Sequence, residues 1–310
     1  MTAQSARTDP AEHARITARI TLLSVGMSLL LTALKLAGWL AGGSTALLAS
    51  LADSGLDVAA ALATFIAVRV AVSPPDAEHR FGHGKAEAFA SLLQAGLIFA
   101  SAALIGKEAI TRLIDPHPVT AEGWAAGIMV VSTVLTVGLV TLQGRVLAAT
   151  TSVAVSGDRA HYASDIGSNI AALIGIGLTM LLHDARFDAA AGLFVMGWLV
   201  WGAIGVLRDS TDHLMDKELG TEERRAIVAC VLADPAIKGV HELRTRASGP
   251  SVHILMHIDL DPHQTLAQAH EVVEAAEARL LTAFPGADIL IHPDPVGHAE
   301  PHGVFGEERV

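Results

Sequence analysis

Read for hydropathy alone, the chain divides into six apolar segments, at about 16–41, 45–72, 86–112, 119–143, 152–182 and 187–208. Each reaches the roughly 20 residues that a helix needs to cross a bilayer. The connections are short, so consecutive helices are expected to be antiparallel neighbours. The first run is too long for the apolar core of a cleaved signal peptide and is read as a retained transmembrane helix. After about Asp209 the pattern changes to that of a soluble domain. Thr221-Glu222-Glu223-Arg224 reads as a helix start, with Thr as cap and acids in the first turn, and the helix is expected to run to about Leu232. Residues 239–247 are strand-like, a Ser-Gly-Pro turn follows, and 251–260 alternate with Val252, Ile254, Met256 and Ile258 on one face. Residues 264–283 have the helical period, and 287–291 form a last short strand. The predicted fold class is an all-α six-helix transmembrane bundle followed by a small α+β domain in the order α-β-β-α-β. The expected divisions are an N-terminal tail at 1–15, the transmembrane domain at 16–208, the cytoplasmic domain at 209–295 and a polar, flexible tail at 296–310.

Basic residues orient the bundle. Arg7, Arg15 and Arg19 precede or open the first segment, Arg69, Arg80 and Lys85 flank the second loop, and Arg145 and Arg159 flank the fourth. The other side offers only Arg112 and Arg186, so both termini are expected in the cytoplasm. Of the 310 residues, 51% are hydrophobic and 17% charged. A soluble protein carries about a quarter charged residues, and the deficit here lies in the apolar runs. The net charge of −11 argues against nucleic acid as a partner, which needs a basic face. The single cysteine, Cys230, excludes an internal disulfide and a thiolate-rich zinc knuckle, whereas 15 histidines turn attention to metals.

Two polar pairs interrupt the apolar segments. Asp53 and Asp57 are one helical turn apart in the second, and His161 and Asp165 repeat that spacing in the fifth. Residues four apart share a helix face, so each pair presents two ligand groups to one side. Ionisable groups inside membrane helices are costly and usually mark ion pathways, although helix-end polar residues or hydrogen bonds between helices compete as an explanation. Three carboxylates and an imidazole form an N/O set suited to zinc. Four protein ligands leave no open position for an activated water, which favours a carrier over a hydrolytic site. Without metal, crowded carboxylates in low dielectric bind protons more readily, so metal and protons are expected to compete, the physical basis of antiport.

Two further clusters stand outside the apolar runs. In the second loop, Asp76, His79 and His83 could meet around a cation, with Gly82 and Gly84 permitting a tight turn. A solvated loop with incidental histidines is the competing reading. In the soluble domain, His241, His257, His270, His292 and Asp294 come from different elements and suggest one or two bridged metals, against unliganded surface histidines. His253, His263, His298 and His302 receive no role.

Asp53-x-x-x-Asp57, Phe81-Gly82-His83-Gly84-Lys85-Ala86-Glu87, His161-x-x-x-Asp165, the run 239–246 and Ile291-His292-Pro293-Asp294-Pro295 resemble the cation diffusion facilitators. The resemblance covers nearly the whole chain. It implies six transmembrane helices, a metallochaperone-like cytoplasmic domain, a homodimer and residence in the bacterial inner (plasma) membrane. It implies a transport site of Asp53, Asp57, His161 and Asp165, and a second site of Asp76, His79 and His83. It also implies a two-metal cytoplasmic site of His241, His257, His270, His292 and Asp294. A Lys–Asp pair that steadies the dimer in such proteins is matched by Lys85 and Asp216. Pro293, between His292 and Asp294, departs from the pattern. The expected function is proton-coupled efflux of divalent cations, zinc first and iron, cadmium and cobalt as further ions. The alternatives are an intramembrane metalloenzyme or a metal-sensing membrane protein that does not transport. His270-Glu271-Val272-Val273-Glu274 is not the His-Glu-x-x-His signature of zinc peptidases.

Overall fold

The structure, a computed structural model, describes residues 10–42, 45–114, 123–182 and 186–297. Within its helices the side chains of 41–42, 45–50, 52–53, 112, 123–126, 172–173, 175–182 and 186–188 lie outside the description. Six long helices come first: α1 (Pro10–Gly42), α2 (Thr45–Ala71), α3 (Ala86–Ile114), α4 (Gly123–Leu147), α5 (Val153–Leu182) and α6 (Arg186–Leu214). Five of them, α1, α2, α3, α4 and α6, carry among the described residues a stretch long and apolar enough to cross a membrane. The remaining helix, α5, contains Asp158, Arg159 and Asp165 in its first half.

Helix ends differ from the expected ones for a simple reason. Hydropathy marks where lipid contact stops, whereas a helix continues while its backbone is satisfied. Thus α1 starts at Pro10, in line with proline's tolerance of the first turn, and takes up residues expected in the tail. Helix α6 likewise runs past the expected limit near 208 to Leu214.

Consecutive helices are not always neighbours. Helix α3 packs chiefly on α6 and α5, and α4 packs on α1 and α5, without an extensive α3–α4 contact. The expectation of neighbouring consecutive spans fails there. Small residues explain the α3–α6 pairing: Ala102 and Ala203 are fully buried, and a Cβ on Gly192 would press on Ala109. In lipid, close backbone approach of this kind replaces the hydrophobic effect as the driving force.

The second unit contains α7 (Thr221–Val231), β1 (Gly239–Ser248), β2 (Ser251–Leu260), α8 (Leu266–Ala283) and β3 (Asp288–Pro295). This is the α-β-β-α-β order expected. The sheet order is β1-β2-β3, with β1 antiparallel and β3 parallel to β2. Ile254, Met256 and Ile258 of β2 meet Ile227 and Val231 of α7 and Ala276 and Leu280 of α8 in one buried core. Alternation therefore sends His253, His257 and Asp259 to the sheet face away from the helices. Strand β3 is longer than the sequence suggested and runs through Pro293, which an edge strand tolerates. The link to α6 is fixed by Glu218, whose carboxylate accepts hydrogen bonds from the Thr245 backbone N–H (3.0 Å) and hydroxyl.

Candidate metal centres

Between α2 and α5, one oxygen each of Asp57 and Asp165 and one nitrogen of His161 lie within 4.8 Å of one another. His161 Nε2 is 3.1 Å from Asp57 Oδ1 and 4.0 Å from Asp165 Oδ2. The imidazole is buried, while both carboxylates keep some exposure. Asp53 lies on α2 one turn before Asp57, and its side chain is outside the described residues. Tyr162, next to His161, anchors α5 by packing on Leu139, Val155 and Ile20 and donating its hydroxyl hydrogen to the Ser24 carbonyl at 3.2 Å.

Two ionisable residues near this cluster have no role in the site expected from the sequence. Lys35 of α1 reaches α2 and donates to Ser54 Oγ at 2.5 Å. Asp158 of α5 is 1% exposed and accepts hydrogen bonds from Gln94 Nε2 (3.2 Å) and Gln143 Nε2 (2.8 Å). The signal for both was in the sequence, since each is a charge inside an apolar segment.

The second cluster sits in the loop joining α2 and α3. Asp76 Oδ1 accepts from the backbone N–H groups of His79 (2.6 Å) and Glu78 (2.9 Å), which folds the loop back on its own carboxylate. His79 Nδ1 then stands 3.3 Å from Asp76 Oδ1, and His83 Nε2 stands 3.2 Å from Asp76 Oδ2. The two imidazole centroids are 4.6 Å apart. The His79 backbone hydrogen bond is the main influence holding the Asp76 carboxyl below its ordinary value, with the Glu78 N–H and the two imidazoles adding to it against partial desolvation. Gly82 turns the chain at φ +80°, in the left-handed region that favours glycine.

The third cluster is built by strand register. His241, His257 and His292 stand opposite one another on β1, β2 and β3, and Asp294 lies two residues beyond His292 on the same strand. One carboxylate touches all three imidazoles: His257 Nδ1 at 2.8 Å, His241 Nε2 at 3.2 Å and His292 Nε2 at 3.3 Å. His241, His257 and Asp294 bring their ligand atoms within 4.8 Å. Asp259, which the sequence reading passed over, lies 3.7 Å from His241 Nδ1. A bulge after His241, with Glu242 at φ 47°, carries the Glu242 carboxylate to 4.0 Å from His257 Nε2.

His270 does not join this group within the chain. It is exposed on α8 and pairs with Glu274 one turn along at 3.3 Å. His253 is buried by Asp288 (2.9 Å) and by the edge of the Phe81 ring. His263 lies in the β2–α8 loop, and His298 and His302 fall outside the described residues.

Lys85, at the start of α3, is 3.0 Å from Asp216, just beyond α6, and Arg246 of β1 approaches the same carboxylate at 3.1 Å. Burial is the largest single influence on Asp216 and pushes its proton affinity up. The Lys85 hydrogen bond and the Arg246 charge outweigh it and hold the carboxyl below its ordinary value. The Arg246 guanidinium also covers the Phe81 ring, 5.0 Å from its centroid, so the loop is clasped to the sheet.

Residues 21–215 match the family model described as the cation efflux transmembrane domain, and 219–296 match that of the cation efflux protein cytoplasmic domain. The cation-efflux pump FieF of Cronobacter sakazakii is 38% identical over 285 residues, 92% of this chain and 94% of that protein. The FieF pumps of Salmonella arizonae and Klebsiella pneumoniae subsp. pneumoniae are 37% and 36% identical, each over 91% of this chain and 94% of theirs.

Proposed function

The chain belongs to the cation efflux family, and from that premise we propose that it is a zinc-first exporter that exchanges the metal for protons by alternating access. That it is a membrane-embedded cation efflux transporter follows from the family itself. The finer reading concerns ion, coupling and site. It rests on a single observation: Asp57 of α2 and His161 and Asp165 of α5 converge within 4.8 Å. Asp53, one turn before Asp57 on the same helix face, completes the set.

Three ionised carboxylates and a neutral imidazole carry −3, which a divalent ion reduces to −1. The mixed nitrogen and oxygen set suits zinc, with iron, cadmium and cobalt as further ions. Four ligands give the metal no open coordination position, which supports carriage over catalysis. When the metal leaves, the carboxylates repel and the imidazole is released, so the same groups take up protons. Six helices cross the inner membrane with both termini in the cytoplasm, and rocking of the bundle exposes the site to each side in turn. The loop cluster of Asp76, His79 and His83 and the sheet cluster of His241, His257, His292 and Asp294 bind regulatory metal. His270 serves the sheet cluster only from a second copy of the chain, which agrees with a homodimer steadied by Lys85 and Asp216.

The decisive experiment is metal flux into proteoliposomes for the native chain and Asp57→Ala, across zinc, iron, cadmium and cobalt, with and without a pH gradient. Native flux should be largest for zinc and driven by the gradient, and Asp57→Ala should abolish it. Undiminished flux through Asp57→Ala would count against the site.

A further inference from the structure

The Asp158 carboxylate lies at the meeting point of five helices. Gln94 of α3 donates to its Oδ1 and Gln143 of α4 to its Oδ2. Gln94 Nε2 reaches Thr64 Oγ1 of α2 at 3.0 Å, and Gln143 Nε2 reaches Ser24 Oγ at 3.1 Å. Ser24, Thr64, Gln94 and Gln143 are each at most 1% exposed.

We propose that Asp158 is a proton-binding site of the transport cycle, separate from the metal ligands. The assignment rests on the proton-antiport reading above and adds a residue to it.

Hydrogen counting around the carboxylate carries the argument. Both amide hydrogens of each carboxamide are already used, one on Asp158 and one on a hydroxyl. The carbonyl oxygens, Gln94 Oε1 and Gln143 Oε1, are buried and accept no hydrogen bond among the described residues. Buried acceptors without donors are rare, because each forfeits its hydration. A proton on Asp158 supplies the donor that these acceptors lack: one carboxamide exchanges its N–H donation to Asp158 for a carbonyl that accepts the new O–H. Carboxamides present a donor and an acceptor on one planar group, so this cage suits both forms of the acid. The ionised form takes two N–H donors, and the neutral form takes one N–H and gives one O–H.

The charges around it fit the same role. No ionisable side chain from α1, α2, α3, α4 or α6 among the described residues shares a hydrogen bond or ion pair with Asp158. Those helices present the neutral Ser24, Thr64, Gln94 and Gln143. The ionisable groups in its field are His161 and Tyr162 of its own helix. A buried carboxylate held only by neutral dipoles is expensive in its charged form and sensitive to any nearby charge. His161 lies one turn along α5, so a divalent ion at that site favours the carboxylate, and its departure favours the acid. By linkage, a proton on Asp158 weakens metal binding by the same factor. In the cycle, Asp158 takes a proton from hydronium on the outer side, leaving water. It returns the proton to cytoplasmic water when metal enters, and only the O–H bond is made and broken.

The test is Asp158→Asn in proteoliposomes, with zinc uptake and proton release counted together. The amide has the same shape, accepts from one carboxamide and donates to the orphan carbonyl of the other. It keeps one donor and one acceptor facing the two carboxamides and removes the titration. Zinc should still move down its own gradient, with one proton fewer exchanged per zinc and a reduced response to an imposed pH gradient. Native proton counts and an undiminished gradient response in Asp158→Asn reduce Asp158 to a structural tie and overturn the proposal. Should the amide variant not fold, Asp158→Glu carries the test. Its carboxyl remains titratable in altered surroundings, so the pH profile of uptake should move along the pH axis, and a profile superposable on the native one overturns the proposal. Native protein indifferent to the gradient would sink the antiport reading and this assignment together. A responsive native protein beside an equally responsive Asp158→Asn sinks the assignment alone.

Discussion

His161 Nε2 and Asp57 Oδ1, 104 residues apart in sequence, stand 3.1 Å apart across the α2–α5 contact. Neither helix carries more than part of the proposed cation site, so that site requires the two helices to hold this register. Asp57→Ala should weaken zinc binding at this centre by more than about 100-fold, beyond the 10- to 100-fold typical of losing an outer-shell partner. The helices should remain folded, since Asp57 is not part of a packed core. Calorimetric titration beside circular dichroism checks both halves, and retained affinity would remove Asp57 from the site.

A second prediction concerns how α5 is held. Glu87 of α3 is 1% exposed, accepts the Ser152 hydroxyl hydrogen at 2.6 Å and lies 3.5 Å from the Ala154 backbone nitrogen. It thus acts as a carboxylate cap, from another helix, on the positive end of α5. Glu87→Ala removes that acceptor and opens a cavity, and should cost about 2–4 kcal/mol. Thermal unfolding in detergent should show the loss, and zinc flux should fall with it because α5 carries His161 and Asp165. Native thermal stability in the variant would show that the cap contributes nothing.

These two relationships mark how far the sequence could be read. The i,i+4 spacing of His161 and Asp165 was legible because a helix face is a fixed geometric consequence of spacing. The site at Asp294 was only half legible. That Asp294 meets His241 and His257 depends on the parallel pairing of β3 with β2 and on the bulge at Glu242, both set by tertiary packing. His270, grouped with them from sequence, belongs to a helix whose exposed face points it at Glu274 instead. The cage around Asp158 was missed because Gln94 and Gln143 look like ordinary polar residues until five helices bring them together.

The junction of the two units gives a third prediction. Asp216 occupies the left-handed region at φ 55°, which Asn tolerates and Ala does not. Asp216→Asn therefore isolates the loss of charge toward Lys85 and Arg246, and should cost about 1 kcal/mol, less at high salt. Asp216→Ala should cost about 1–2 kcal/mol more through backbone strain. Because the folded carboxyl lies below its ordinary value of 3.8, its contribution is full above that pH. It declines as pH falls below 3.8 through the lower folded value. Thermal unfolding of the native chain and Asp216→Asn should thus converge in strong acid, and parallel curves would refute the charge argument.

Docking of the loop on the sheet can be tested at Gly84. A Cβ there would collide with the backbone carbonyl of Ser248 in the β1–β2 turn, while Gly84 itself needs no unusual backbone conformation. Gly84→Ala should push the loop off the sheet at a cost of about 1–3 kcal/mol. The Phe81 contacts with Arg246 and His253 should loosen in consequence, which faster proteolysis at the α2–α3 loop would report. Unchanged proteolysis would place the two units less tightly together than this contact requires.

The sheet cluster yields the last prediction, because its residues are unequal. Asp294 is the hub, within 3.3 Å of His241, His257 and His292, whereas His270 touches none of them. Metal binding is best followed in an Asp57→Ala/Asp76→Ala background, where the membrane site and the loop cluster are silenced. There Asp294→Ala should lower zinc affinity at this cluster by more than about 100-fold, with His257→Ala close behind. His270→Ala should leave the first zinc bound per chain unaffected and weaken only metal shared between two chains. Its effect should therefore depend on protein concentration, through the monomer–dimer equilibrium. A concentration-independent loss of the first zinc in His270→Ala would mean that α8 moves in solution to close the cluster from within one chain.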